Sequence, residues 1–540
     1  MTSSAAASPG ERLVLAIDMG SGSAKVALVS ERAEVVASAL RPIRTMVLPD
    51  GGAEQDPEEW WRAVVGAAQA TLAEAAVPRD RIVAVVCTTQ WAVTVPVDVE
   101  GNALGNAISW MDTRGGAHVR SRVEGWPKVA GYELRKLLAW LRYTGGAPVR
   151  SGVDGLGHVL YLQQERPDVY ARTHKFLEPM DYLNLRLTGR FAATYGTIFP
   201  YWLTDNRDPR HIDYVPALLR YAGVERAKFP DLVPVNAVLG TLRPAVADEL
   251  GLPAGTAVVA GACDSHAATI GAGAVADHEG YFSIGTTAWL SCHTPVKKTD
   301  LLRMLCTMPA ALPGRYMVSA EQGMAGRCLE ILKDNLLFPP GDAAASPPAD
   351  VYGYLNQLAA GVAAGSDGLI FTPWVNGVLA PSEDPHTRSA FFNQTARTTR
   401  GHYVRSVMEG IAFNLRWLKG HVEHFVGRRF ERLAFIGGGA LSEAWCQIQA
   451  DVLGCPIRRV ANPRHANAVG AALAAFAALG HLRIEEIPEL VKIAAVYHPI
   501  DANRRLYDRQ FREFLSFYHR NKSIYRRLNG NGQRVGAPSP

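Results

Sequence analysis

One pattern is stated twice in this chain, and the repetition constrains the fold more than any other feature. Residues 13–29 (LVLAIDMGSGSAKVALV) read as strand, glycine-rich turn, strand, and residues 281–290 (YFSIGTTAWL) repeat that hairpin in shorter form. After the first hairpin a helix is expected over 57–76, with Asp56 as N-cap and Pro57 in its first turn. A β-branched strand over 81–87 then runs into Thr88, Thr89 and Gln90. After the second hairpin come an amphipathic helix over 402–424 and a strand over 432–436 that ends in Gly437, Gly438 and Gly439. Each half closes alike: a short strand (256–260; 456–460), a loop, and a small-residue helix (267–275; 467–479). The match lies in element order and turn chemistry rather than in letters. It implies two related α/β domains with a cleft between them.

Bulk properties narrow the function. At 540 residues the chain exceeds one ordinary core. Its 48% hydrophobic and 20% charged residues, with mean hydropathy near zero, are those of a globular enzyme. A net charge of +5 with no basic block among aromatics argues against a nucleic-acid partner. No stretch is apolar enough to span a bilayer, and the uncharged, Ser/Ala-rich residues 1–10 carry no secretory signal. Seven scattered cysteines without a CxxC pair fit a reducing compartment, so a cytoplasmic location is expected.

The chemistry concentrates in a few turns. In 258–275 (VVAGACDSHAATIGAGAV) an apolar strand ends at a glycine turn, presents Asp264, and passes at once into a helix. A carboxylate there can meet a substrate hydroxyl, and Cys263 beside it is read as a packing residue. Gly20, Ser21, Ser23 and Lys25 form a small-residue turn whose amides could nest a phosphate, with Asp18 as a carboxylate able to hold Mg²⁺. An ordinary Gly-Ser hairpin would look the same. Gly285, Thr286 and Thr287 carry the same two readings. Gly437–Gly439 with Ser442 exceed what a plain βα turn needs and would let adenine lie on bare backbone. Trp110, Asp112 and Arg114 suit a polyol, by ring stacking and paired hydroxyl contacts, or form a Trp beside a surface ion pair. Gln90 is either a hydroxyl reader or a helix cap. His266 and His465 lack patterned partners and are read as loop or surface residues, and Glu409 as the anchor of a loop. Two hairpins facing an acid amount to a device for holding phosphates and deprotonating a hydroxyl.

The remaining segments are particular to one half. A helix is expected over 132–143, two helices over 160–190 around Glu178 and Pro179, and a substrate-side insertion over 194–230. Residues 338–350, with their prolines, read as a loop. Leu506, Phe511, Phe514, Leu515 and Tyr518 line one face of a helix that should dock on the body.

Taken in order, these motifs resemble the FGGY family of carbohydrate kinases, within the actin/hexokinase/Hsp70 superfamily. The similarity runs from Leu13 to Leu528 through DMGSGSAK, AISWMDTR, GACDSHAATIGAG, SIGTT and FIGGGALSEAWCQIQADVLGCPI. It implies two duplicated ribonuclease H-like domains with an ATP cleft between them. The expected division is an unstructured 1–10, an N-terminal domain over 11–275, a C-terminal domain over 276–500, a docking helix over 501–528 and an unstructured 529–540. By position it implies Asp264 as general base and, with Asp18, as a metal-site carboxylate for Mg²⁺. Gly20, Ser21, Ser23, Lys25, Gly285, Thr286 and Thr287 would hold the ATP phosphates, and Gly437, Gly438, Gly439 and Ser442 the nucleoside. Gln90, Trp91, Trp110 and Asp112 would stand by the substrate. The departures are on the sugar side. Trp91–Ala92 replaces the charged pair of glycerol kinases, and 377–381 (GVLAP) lacks the family's Glu and Arg. AISWMDTR and LTGRFAATYGT are closest to xylulokinase-like members. The expected activity is therefore phosphorylation of a terminal hydroxyl of a ketose or polyol. The alternatives are a degenerate, sugar-binding regulator and a glycerol or other polyol kinase, and the expected assembly is a homodimer.

Overall fold

The computed structural model describes residues 10–341 and 346–530. Of the expected unstructured ends, residues 1–9 and 531–540 fall outside them, as does part of the 338–350 loop, whereas Asn529 is the last residue of a helix. Strands β1 (Leu13–Met19), β2 (Ser23–Ser30) and β3 (Val35–Pro42) form an antiparallel meander. Helix α1 (Pro57–Ala75) follows, capped by the Asp56 carboxylate, which accepts from the Glu58 amide. It buries Trp60, Trp61, Val64 and Leu72. Next, β4 (Ile82–Thr89) returns parallel to β1. Strands β5 (Val238–Thr241) and β6 (Ala257–Val259) complete a sheet of order β5–β6–β4–β1–β2–β3. Within it β6 is parallel to β4, and β5 antiparallel to β6. All seven residues of β1 are buried, as expected of a strand covered on both faces. Helix α2 (Asp264–Gly271) starts five residues past β6.

The second lobe repeats this plan. Its strands are β7 (Gly280–Ile284), β8 (Thr287–Thr294), β9 (Leu305–Pro309) and β10 (Tyr316–Met324), then, after the 27-residue helix α3 (Arg400–Val426), β11 (Leu433–Ile436). Helix α4 (Glu443–Leu453), β12 (Ile457–Val460), α5 (Ala466–Ala478), β13 (Ile493–Tyr497) and α6 (Asp501–Asn529) complete it. Read from β10, the sheet runs β10–β8–β7–β11–β12–β13. Its directions are antiparallel, antiparallel, parallel, parallel, antiparallel. That is the sequence of directions from β3 to β5 in the first lobe. The duplication inferred from turn chemistry is thus a duplication of topology. The outermost strand alone differs in chain order, since β5 precedes β6 whereas β13 follows β12.

Helices α2 and α5 join the lobes. A Cβ at Gly271 would collide with the Ala466 carbonyl, and one at Gly470 with that of Ala267, so glycine permits this crossing. Polar contacts fasten the same edge: Lys25 Nζ to the Arg464 carbonyl (2.8 Å), Ser38 Oγ to His465 Nε2 (3.0 Å), and Lys492 to Glu34 (2.5 Å).

Three segments depart from the sequence reading. Tyr132 and Glu133 pair in a hairpin with Lys128–Val129, so the expected helix begins at Leu134. Between 155 and 190 stand three helices and a strand, because Pro167 lacks an amide and opens its own short helix. Helix α6 docks as expected, but it buries Tyr507, Gln510, Phe514 and Tyr518 most deeply, with Leu506, Phe511 and Leu515 at the rim. Its aromatic rings pack on Trp374, Phe413 and Trp417. Glu409 anchors a loop, as read from the sequence. Buried on α3, it accepts from the Gly365 amide, Ser366 Oγ, Tyr507 Oη and Arg405 Nε.

Candidate active site

Parallel strands end at a common edge, and most residues singled out for chemistry sit at such an edge, whereas Trp110 and Asp112 follow a short antiparallel strand, Ala107–Ile108. In the first lobe, β1 ends at Asp18 and Met19, β4 leads into Gln90 and Trp91, and β6 leads to Asp264. In the second, β7 ends at Gly285, β11 at Gly437, and β12 at the loop carrying Arg464. Ligands of open α/β sheets bind outside the carboxyl ends of the strands, so both lobes offer their binding turns to one cleft.

The turns are bare. A Cβ at Gly20, Gly22, Gly285 or Gly438 would meet no atom within 4 Å. These glycines border open space into which backbone amides can reach a ligand. The glycine triplet divides its work. Gly437 adopts φ +86°, and a Cβ there would lie 2.6 Å from the Ile284 carbonyl; Gly439 packs as tightly on the Ile284 side chain. Those two let the turn fold against β7, and Gly438 is left facing open space. Ser442 caps α4, accepting from the Trp445 amide at 3.1 Å.

Asp264 is the first residue of α2, and its Oδ1 accepts from the Ser265 amide at 2.6 Å. Burial pushes its carboxyl up from 3.8 to about 7; the Ser265 amide opposes this and the Asp18 charge adds to it. Asp18 pairs with Lys25 Nζ at 3.2 Å. Among the described residues no group of three His, Cys, Asp or Glu side chains is arranged to hold a metal ion. Two carboxylates without a cage match Mg²⁺ held chiefly by phosphate oxygens and water.

Beside the first glycine turn Ser21 is a hub. Its Oγ donates to Gln90 Oε1 (2.8 Å) and accepts from Trp110 Nε1 (3.1 Å). Gln90 Nε2 donates in turn to Gln55 Oε1 (2.6 Å), and Gln55 Nε2 to the Ser21 carbonyl (2.8 Å). Gln90 therefore caps no helix. Gln55 was not legible in the sequence, because it belongs to no motif and reaches the turn only through the fold. Trp91 stacks on Phe199 and meets His266 edge-on.

Several side chains have other occupations. Asp112 is 1% exposed, and its oxygens accept from the Ala53 amide and from Arg114, so it braces the loop beneath Trp110. Arg114 also pairs with Glu54 at 2.6 Å. The two histidines read as loop or surface residues are instead drawn inward. His266 is buried on α2 with Nε2 at the Pro309 carbonyl, and His465 bonds Ser38 across the lobes. Burial holds both near 4, which keeps them neutral. All seven cysteines are unpaired. Glu321, on β10, was missed; burial and the Asp264 charge raise its carboxyl to about 7.

Family models match both lobes, the N-terminal domain of FGGY carbohydrate kinases over residues 13–271 and the C-terminal domain over 280–479. The chain belongs to the FGGY family of carbohydrate kinases. A xylulose kinase of Staphylococcus epidermidis is 26% identical over 524 residues, 95% of this chain and 98% of its own. A gluconokinase of Bacillus subtilis is 25% identical over 504 residues, 92% and 93% of the two chains. The ligand-bound xylulose kinase structure from Lactobacillus acidophilus superposes with a TM-score of 0.82 at 21% identity, over 96% of this chain and all of that one. This FGGY chain is an ATP-dependent carbohydrate kinase, and the alternative of a sugar-binding regulator gains no support. Among the described residues no helix is long and apolar enough to cross a membrane.

Proposed function

We propose that this kinase transfers the γ-phosphoryl group of ATP to a terminal hydroxyl of a ketose or polyol, with Asp264 as general base. The observation that carries this reading is a single carboxyl at a helix start, opening on the strand-end cleft and held near neutral pH. A base so tuned accepts the hydroxyl proton as the oxygen forms its bond to γ-phosphorus and the bond to the ADP oxygen breaks. The Gly20 and Gly285 amides close their turns on the Ser23 and Thr287 carbonyls, which leaves the amides of Ser21, Gly22 and Thr286 to donate to the phosphate oxygens, with the Thr286 hydroxyl on the second turn and Lys25 on β2 beside the first. Gly438 supports the nucleoside. Gln90, Trp91 and Trp110 form the acceptor wall, and Asp112 holds that wall from below. Asp18 and Asp264 are the carboxylates that would face Mg²⁺, which when bound offsets the triphosphate charge. We divide the chain into lobes over 11–275 and 276–500 with the helix over 501–528 docked on the second, and place the reaction in the cytoplasm. A coupled-ADP screen over ketopentoses, ketohexoses, alditols and glycerol, run beside Asp264→Asn, tests the proposal. Turnover on no acceptor, or equal turnover by the variant, refutes it.

A further inference from the structure

The second lobe also lines the acceptor end of the cleft, and sheet register identifies the residue involved. Tyr281, Ser291 and Ser319 stand side by side across β7, β8 and β10. This row faces α2: Tyr281 Oη donates to the Ser265 carbonyl at 2.8 Å, and Met317, two residues before Ser319, meets Thr269. Two residues further along each strand, on the same face, lies the row Ser283, Trp289, Glu321. One such step is about 6.5 Å and leads along α2 toward its first residue, Asp264. The alternate residues Ala320 and Gln322 point the other way, into the body, where Gln322 bonds the Asn414 carbonyl. Glu321 is half-buried and has no hydrogen-bond or ion-pair partner, in a protein whose other half-buried acids are mostly paired.

We infer that Glu321 is an acceptor-binding residue that takes a hydroxyl of a neutral polyol or ketose and excludes sugar acids. The inference rests on the kinase reading above and deepens it. A carboxylate facing the cleft is a strong acceptor for sugar hydroxyls, and half-exposed Trp289 beside it offers a face for the carbon chain. Together with Asp264 it places two carboxyls at this end of the cleft, Asp18 being paired with Lys25, so an incoming aldonate carboxylate meets like charges once they ionise. Three of the cations near the cleft are engaged, whereas Arg464, on the loop after β12, is exposed. Lys25 holds Asp18 and the Arg464 carbonyl, Arg114 holds Asp112 and Glu54, and Arg327 holds Glu330. The curated relatives include a xylulose kinase and a gluconokinase, so charge at the acceptor is the distinction this site would make.

The test uses the full chain with matched neutral and acidic acceptors: xylitol against xylonate, and a ketohexose against gluconate. Coupled-ADP kinetics and calorimetric acceptor binding are measured for wild type, Glu321→Gln and Glu321→Ala. Wild type is expected to favour neutral acceptors over acids by at least about 100-fold. Both variants should raise the acceptor KM about tenfold or more, leave the KM for ATP within about twofold, and narrow the neutral-to-acid ratio. An acid as the better acceptor, or variants whose acceptor KM and ratio stay within about twofold, overturns the inference. Calorimetry reads the same selectivity without turnover. A chain that binds neutral acceptors through Glu321 yet phosphorylates none would refute the kinase reading and uphold this one.

Discussion

Replacing Asp264 by Asn should separate stability from activity, because the structure makes the charged form of this side chain costly to the fold. Its carboxyl rises from 3.8 to about 7, chiefly through burial. Three units at ~1.4 kcal/mol each set a ceiling of ~4 kcal/mol. Water at the open mouth screens roughly half, leaving ~2 kcal/mol. The sign follows from linkage: an acid whose folded value is raised contributes stability that is fully present below its unfolded value, near pH 4, and is lost as pH climbs through about 7. Wild type therefore carries the whole penalty at pH 8, and the uncharged Asn carries none. Calorimetric scans should place Asp264→Asn a few degrees above wild type at pH 8, with the gap closing steadily toward pH 4. In coupled-ADP assays the same variant should lose ~10²–10⁴ in kcat. A gap independent of pH would refute the burial argument, and near-normal kcat would remove Asp264 from the role of base.

The same carboxyl predicts that kcat/KM rises tenfold per pH unit below about 7 and levels above it, since only the ionised form can accept a proton; a flat acidic limb to pH 5 would contradict this. Gly438→Ala should weaken ATP binding without lowering Tm, because its Cβ enters open space, whereas Gly437→Ala should lower both, with its Cβ 2.6 Å from the Ile284 carbonyl; titration calorimetry with a non-hydrolysable ATP analogue beside thermal scans distinguishes them. Glu409→Ala strands Arg405 and frees the Gly365 amide, at a cost of ~3–5 kcal/mol. Proteolysis should then open the 362–368 loop early, and unchanged cleavage would count against the anchor.

What was legible in the sequence was local. Strand–glycine–strand hairpins are set within about ten residues, so both glycine turns and the acid at the start of α2 could be read directly. The pairing of the lobes followed from seeing one hairpin twice. Long-range sheet pairing hid the rest. Glu321 lies 57 residues beyond Asp264, and only the register of β8 with β10 turns it toward the cleft. Gln55 reaches Gln90 from the end of a short strand, Ala53–Gln55, that no motif marks. Asp112 reads as a substrate ligand from its neighbours Trp110 and Arg114, and only its burial reveals a brace. His465 has no patterned partner because Ser38 belongs to the other lobe.

The aromatic seam beneath the last helix bears on how the chain is made. Tyr507, Phe514 and Tyr518 fill space against Trp374, Phe413 and Trp417, about ninety residues or more upstream in every one of these pairs. During synthesis the first half holds all six of its central strands by residue 259 and can settle early. The second half must wait with tryptophans uncovered until residue 518 has left the ribosome. Any stop codon before that point leaves greasy surface with nothing to cover it.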